Sequence, residues 1–261
     1  MKKVLAIVLA VLTALAVFAL AGCGETTPAT DLEYVKEKGT LIIGITDYNP
    51  MNYKDEDGKW IGFDTELTEA FAEKLGVQVE FIELADWGKK FIELSSKSID
   101  CVWNGMTITD EALKNSSVSD VYLKNSQVVV LPADKAANYT TAESLKGLKF
   151  AVENESAGQS QAEENEFEFV AVQNMAAALL EVKSGACDGC IIDKTMADAT
   201  VGAGTSYADL AVAMTLSTEE FGISFRKDSD ITAELNTFIK EYQESGKFAE
   251  LAEKYSVTIE D

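Results

Sequence analysis

The 261-residue chain contains no histidine and a single arginine, Arg226. Without histidine, Ser-His-Asp and Cys-His catalysis fall away, together with every histidine-containing zinc site. Positive charge is scarce in general: 22 Lys and Arg face 44 Asp and Glu, for a formal net charge of −22. The acids are dispersed along the chain and not gathered in a tail, which reads as a solvated acidic surface and gives nucleic acid nothing to bind. The acidic turn Asp55-Glu56-Asp57-Gly58 lacks the ligand spacing of a calcium loop. Cysteine is limited to Cys23, Cys101, Cys187 and Cys190. The last two form C-D-G-C, but with no second CxxC a zinc site lacks ligands, which leaves a local disulfide or small buried thiols. No metal and no cofactor is called for.

Residues 1–22 read as a secretion signal: Lys2 and Lys3 precede an apolar run from Val4 to Leu20. The run ends in Leu20-Ala21-Gly22-Cys23, the small-residue pair before cysteine that marks a bacterial lipobox. Cleavage there would leave Cys23 as the lipid-bearing first residue, and residues 23–30 as a tether between lipid and fold. An uncleaved anchor is the alternative. On either reading the folded part works outside the cytoplasm, held at the outer face of the cell membrane.

About 230 residues remain, enough for one large or two smaller domains with real cores. Strands and helices alternate along them. Leu41–Thr46 is a compact apolar run, followed by a hairpin turning at Asp57-Gly58. Asp64 is expected to cap a helix bearing Leu67, Phe71 and Leu75, and Gly76 to end it. Val77–Glu83, a helix marked by Phe91 and Leu94, and Ile99–Asn104 complete a first βα unit. The second half repeats the grammar: strand 149–153, helix 156–165, strand 167–172, helix 175–184, strand 189–193. The crossing segments are expected at Gln127–Leu131 and Ala213–Phe225, with helices from Ile231 onward returning to the first lobe. In open α/β sheets ligands sit beyond the carboxyl ends of strands, so a cleft between two such lobes gathers those ends from both sides.

Five stretches in order, "GTLIIGITDYNPMNY", "GKWIGFDTELTEAFAEKLG", "SIDCVWNGMTIT", "ESLKGLKFAVENESAG" and "GISFRKDSD", resemble the extracellular solute-binding proteins (family 3) of bacterial polar-amino-acid ABC importers. The resemblance spans Asp31 to Val257. It implies the α/β, two-lobed type II periplasmic-binding-protein fold (Venus flytrap) with two crossover strands. Lobe 1 would be residues 31–130 with 220–261 returning to it, and lobe 2 residues 131–219. The implied function is a non-catalytic, monomeric receptor that closes on one small ligand and docks on an ABC transporter permease.

Carried over residue by residue, the resemblance assigns Asp47 and Tyr48 to the first binding loop. It assigns Asn104, Gly105 and Thr107 to the turn that meets a ligand carboxylate, and Ser156 and Ala157 to the second-lobe helix start that meets the same group. Asp193 would take the ligand ammonium; an acid ending the apolar run Cys190-Ile191-Ile192 calls for a partner in any case, or else caps the segment after it. Trp87 could roof the cleft or only the core, and Trp103 reads as packing.

The pattern breaks at Ala112. Relatives carry an arginine there, a bidentate clamp on the α-carboxylate, whereas this chain reads Thr109-Asp110-Glu111-Ala112. Arg226 lies in a return strand. Three explanations stay open. Two opposed helix starts would hold the carboxylate without a cation. Or Lys114 reaches in, although it lies about 200° round the helix from Ala112. Or the ligand is an amine or quaternary ammonium lacking an α-carboxylate, held by Asp193 and aromatic faces. A cyclohexadienyl-dehydratase-like enzyme is a further alternative, with Glu155 as its only nominated acid, and so is a sensory ectodomain without transport.

Overall fold

A computed structural model describes residues 30–259, so the lipobox and Cys23 lie outside the described residues. Its architecture is the two-lobed α/β arrangement with two crossover strands expected above. One nine-stranded sheet is formed by β1 (Thr40–Ile45), β4 (Gln78–Glu83), β5 (Cys101–Thr107), β6 (Ser117–Val118), β7 (Leu123–Pro132), β8 (Lys149–Glu153), β9 (Glu168–Val172), β10 (Gly189–Asp193) and β11 (Leu210–Phe225). A separate hairpin pairs β2 (Tyr53–Lys54) with β3 (Trp60–Ile61).

The order across the sheet is β4-β1-β5-β11-β7-β10-β8-β9. At one end β4, β1 and β5 run parallel; at the other, β10, β8 and β9 do the same. The long antiparallel pair β7 and β11 joins the two parallel sets. Both are longer than the apolar runs that announce them, because their flanks pair through polar residues such as Asn125 with Glu219.

The helices cover these parallel sets with apolar stripes. Helix Phe63–Leu75 turns Phe63, Leu67 and Phe71 into the core and ends at Gly76, whose φ of 75° is a left-handed cap. Its start differs from expectation. Gly62, at φ 135°, occupies the cap position, and a Cβ there would meet the Met51 carbonyl oxygen at 2.2 Å. Asp64 caps nothing: it is fully buried one residue inside the helix.

Under the first-lobe wall of the cleft, Leu84, Trp87, Phe91, Leu94, Ile99, Val102, Met106 and Ala112 form one buried apolar cluster. The larger of these side chains each stabilise the wall by about 1.5–3 kcal/mol through burial. A short 3-10 turn over Trp87–Lys89, capped by the Asp86 carboxylate, leads into helix Lys90–Ser95 and fixes that wall. Cys101, Cys187 and Cys190 are buried free thiols.

Candidate functional site

The carboxyl ends of β5, β8 and β10 meet at one cleft. A cavity of about 260 Å³ lies there, lined from the first lobe by Trp87, Lys90, Asn104, Gly105, Thr107 and Glu111, and from the second by Glu153, Glu155, Ser156, Ala157 and Asp193. The size is near the lower end of small-ligand pockets, which run from about 300 Å³ upward, and so fits a single metabolite. Two contacts bridge its mouth. Asn154 donates to the Asp86 carboxylate at 2.9 Å, and the Glu155 side chain lies so close over Gly88 that a Cβ there would meet it at 2.5 Å.

The first-lobe floor is built by β5. Gly105 is not a turn residue: it lies within the strand at φ 55°, where a Cβ would come 2.6 Å from the Tyr48 ring. Only glycine suits that conformation in that space. Its N–H donates to Asp64 at 2.8 Å, and the Tyr122 hydroxyl donates to the same carboxylate at 3.0 Å. Asn104 is held 2.9 Å from both the Thr46 hydroxyl and the Asn52 amide. Thr107 donates its hydroxyl to Glu219 at 3.0 Å, so this group serves an acid of β11.

The second-lobe wall is acidic. Asp193 begins helix Lys194–Thr200 without a capping hydrogen bond, which leaves its carboxylate directed to the cavity. Gln127 donates to it, and also to Glu219 at 2.8 Å. Burial pushes the Asp193 carboxyl well up, and the neighbouring Glu219 charge pushes it further. Burial likewise raises Glu219. Glu153, 3% exposed, has one carboxylate oxygen with no hydrogen-bond partner, and burial pushes it up to about 8. Helix Ala157–Glu164 starts at the cavity, with Ser156 capping Gln159 at 3.2 Å.

Of the residues expected at the site, Trp87, Asn104, Gly105, Thr107, Ser156, Ala157 and Asp193 are brought together on the cavity wall. Tyr48 is fully buried behind Gly105, its hydroxyl unpaired near Asp193 but outside hydrogen-bonding geometry. Asp47 is half-buried and lies off the cavity lining. Trp103 is core packing, 6.2 Å from the Phe71 ring. Lys114 is exposed and off the lining. Arg226 is occupied elsewhere, pairing with Asp31 and Asp100 and donating to the Ile99 carbonyl.

Sequence reasoning missed Lys90, Glu153, Gln127 and Glu219. A signal for Lys90 was present: Trp87, Lys90, Phe91 and Leu94 fall at i, i+3, i+4, i+7, so a lysine occupies a slot of a buried stripe.

The model of the bacterial extracellular solute-binding proteins, family 3, matches residues 41–258. The arginine-binding extracellular protein ArtP of Bacillus subtilis is 32% identical over 264 residues, 98% of this chain and 98% of that protein. Among solved structures, an ABC uptake transporter substrate-binding protein from Streptococcus pneumoniae with bound histidine superposes with a TM-score of 0.78 at 28% identity, covering 88% of this chain and 97% of that one. The ancestral amino acid-binding protein AncCDT-1, a precursor of cyclohexadienyl dehydratase, gives 0.79 at 30% identity, with 87% and 99% covered.

Proposed function

The chain belongs to family 3 of the bacterial extracellular solute-binding proteins, and from that premise we propose that it is the receptor of an ABC importer for a polar amino acid or a close derivative. The observation that carries this reading is the cleft itself. Asp193, free of any capping role, faces a cavity of about 260 Å³ that both lobes also line with backbone and helix-start groups. A ligand ammonium placed there neutralises a buried acid that otherwise bears the full cost of desolvation. The ligand touches both lobes, so it favours the closed form by its differential affinity, and a permease reads the closure.

The acids around the cavity, Asp110, Glu111, Glu153, Glu155 and Asp193, favour a ligand of positive or zwitterionic charge. This agrees with the arginine-binding relative and also supports the second reading, an amine or quaternary ammonium. The dehydratase-like alternative is weaker: the lining holds one cation, Lys90, where that chemistry needs several around an anionic substrate. Thermal-shift screening against amino acids, amines and betaines tests the reading, since a ligand at 100 times its dissociation constant stabilises the folded state by about 2.7 kcal/mol. A shift with none of them, or turnover of a substrate, would overturn it. Anchoring through Cys23 belongs to the same proposal. Cys23→Ala should move the protein from the membrane fraction to the soluble one, and retention of the variant on membranes after a high-salt wash would count against a lipid anchor.

A further inference from the structure

We propose that Lys90 is the carboxylate-recognising residue of the cleft, replacing from the start of helix Lys90–Ser95 the cation that position 112 does not supply. The inference rests on the binding-protein reading above and narrows its ligand to one that keeps a carboxylate.

Lys90 is 6% exposed yet lines the cavity, and it is the one basic residue among the described residues to do so. Its ammonium stands over the Trp87 and Phe91 rings, 4.8 and 5.0 Å from their centroids, and donates to the Trp87 carbonyl at 3.3 Å. It makes no ion pair among the described residues. An ammonium has three donors, and one long bond leaves the other two free for an anion. Holding such a group out of water without a counter-ion is costly, and the cost is recovered when an anion arrives.

The obvious protein counter-ion is poorly suited. Glu153, across the cavity, makes no ion pair with Lys90, and burial pushes its carboxyl up to about 8 although the Lys90 charge pulls it down. Glu111, Glu153, Glu155 and Asp86 help keep Lys90 protonated against the effect of burial, but none of them forms an ion pair with it. Ala112 is 1% exposed and belongs to the same apolar cluster as Trp87 and Phe91. The rings that fill this wall are therefore the platform on which the lysine is held. A ligand lying between Lys90 and Asp193 meets a cation from the first lobe and an acid from the second, the polarity of an α-amino acid read from carboxylate to ammonium.

The test uses matched pairs that differ only in the carboxylate: arginine and agmatine, histidine and histamine, glutamine and 4-aminobutanamide. Calorimetry on wild type, Lys90→Met and Lys90→Arg separates the possibilities. Wild type should bind the amino acid of a recognised pair at least about tenfold more tightly than its amine. Lys90→Met should lower amino-acid affinity by about tenfold or more and leave the amine unchanged or tighter, since a cation is removed beside a cation. Lys90→Arg should keep the preference. A lysine that only holds the wall or neutralises neighbouring acids predicts the same change for both members of a pair, and that result would overturn the proposal, as would a wild type that prefers the amine. Thermal unfolding of the unliganded Lys90→Met protein checks folding: an unpaired buried cation is lost, so its midpoint should hold or rise. Failure of wild type to bind any member of any pair would sink the receptor reading itself; binding with an indifferent Lys90→Met protein would sink only this one.

Discussion

On the first-lobe side of the cleft, Asp64 is completely buried and its carboxylate accepts from protein donors alone, the Gly105 N–H and the Tyr122 hydroxyl. On the second-lobe side, Asp193 is buried almost as deeply, 6% exposed, but its well-formed hydrogen bond comes from the Gln127 amide, the Tyr48 hydroxyl lies beside it, and it faces the cavity. Both sit at the head of a helix and neither caps it. The difference lies in satisfaction. Asp64 is a strut that fixes Gly105 in its left-handed conformation, whereas Asp193 has acceptor capacity left for a ligand. Burial and charge alone do not identify a binding acid; the missing partner does.

The largest expected effect breaks the strut. Asp64→Ala leaves the Gly105 N–H and the Tyr122 hydroxyl buried without an acceptor, at about 1–3 kcal/mol each. Urea unfolding should report a loss of about 3 kcal/mol. A loss below about 1 kcal/mol would mean that Asp64 is as dispensable to the fold as we hold Asp193 to be.

Titration sharpens the contrast. Burial raises Asp64 to about 7 and Glu153 to about 8. Folded chains therefore hold more protons than unfolded ones between the ordinary carboxylate range and those values. The contribution of these two carboxyls to the stability of the unliganded protein is fully present below about pH 4 and is lost as pH rises through 7 and 8. Urea unfolding from about pH 5 to about pH 8 should show a decline of at least about 1 kcal/mol, and Glu153→Gln should flatten its upper part. Rising stability over that range would contradict the assignment.

The smallest effect concerns closure. Asn154→Ala removes the 2.9 Å bond to Asp86, a half-buried contact at the rim that biases the closed form only slightly. Ligand affinity should fall by about two- to fivefold, with unfolding unchanged. A hundredfold loss would place Asn154 at the ligand and not at the rim.

Most of the fold could be read from the residues. Strands 149–153 and 189–193 and helix 175–184 have in the structure the bounds that their apolar periodicity and flanking turn residues predict. The errors arose where a local signal competes with tertiary contact. Asp64 has the chemistry of a cap, but three-dimensional neighbours 41 and 58 residues away, Gly105 and Tyr122, give its carboxylate another use. Gly105 reads as a turn because isolated glycines usually are, and the packing of the Tyr48 ring that demands it is invisible in a linear sequence. The cluster of two acids, Asp193 and Glu219, around the Gln127 amide unites three strands distant along the chain, so no spacing could announce it. The absent arginine was legible at once; the lysine on the neighbouring helix left a signal in its buried stripe, but its place on the cavity wall needed the fold.

The most direct test of the account is calorimetry of wild type and Asp193→Asn, side by side, against the amino acid that the screen selects at about pH 7.5. We expect one ligand per chain in wild type and at least about a tenfold loss of affinity in the variant, because a charge-assisted bond becomes a neutral one. Urea unfolding of the variant should be unchanged or slightly improved. Equal affinity in the two proteins would contradict the account, leaving Asp193 a scaffold acid like Asp64.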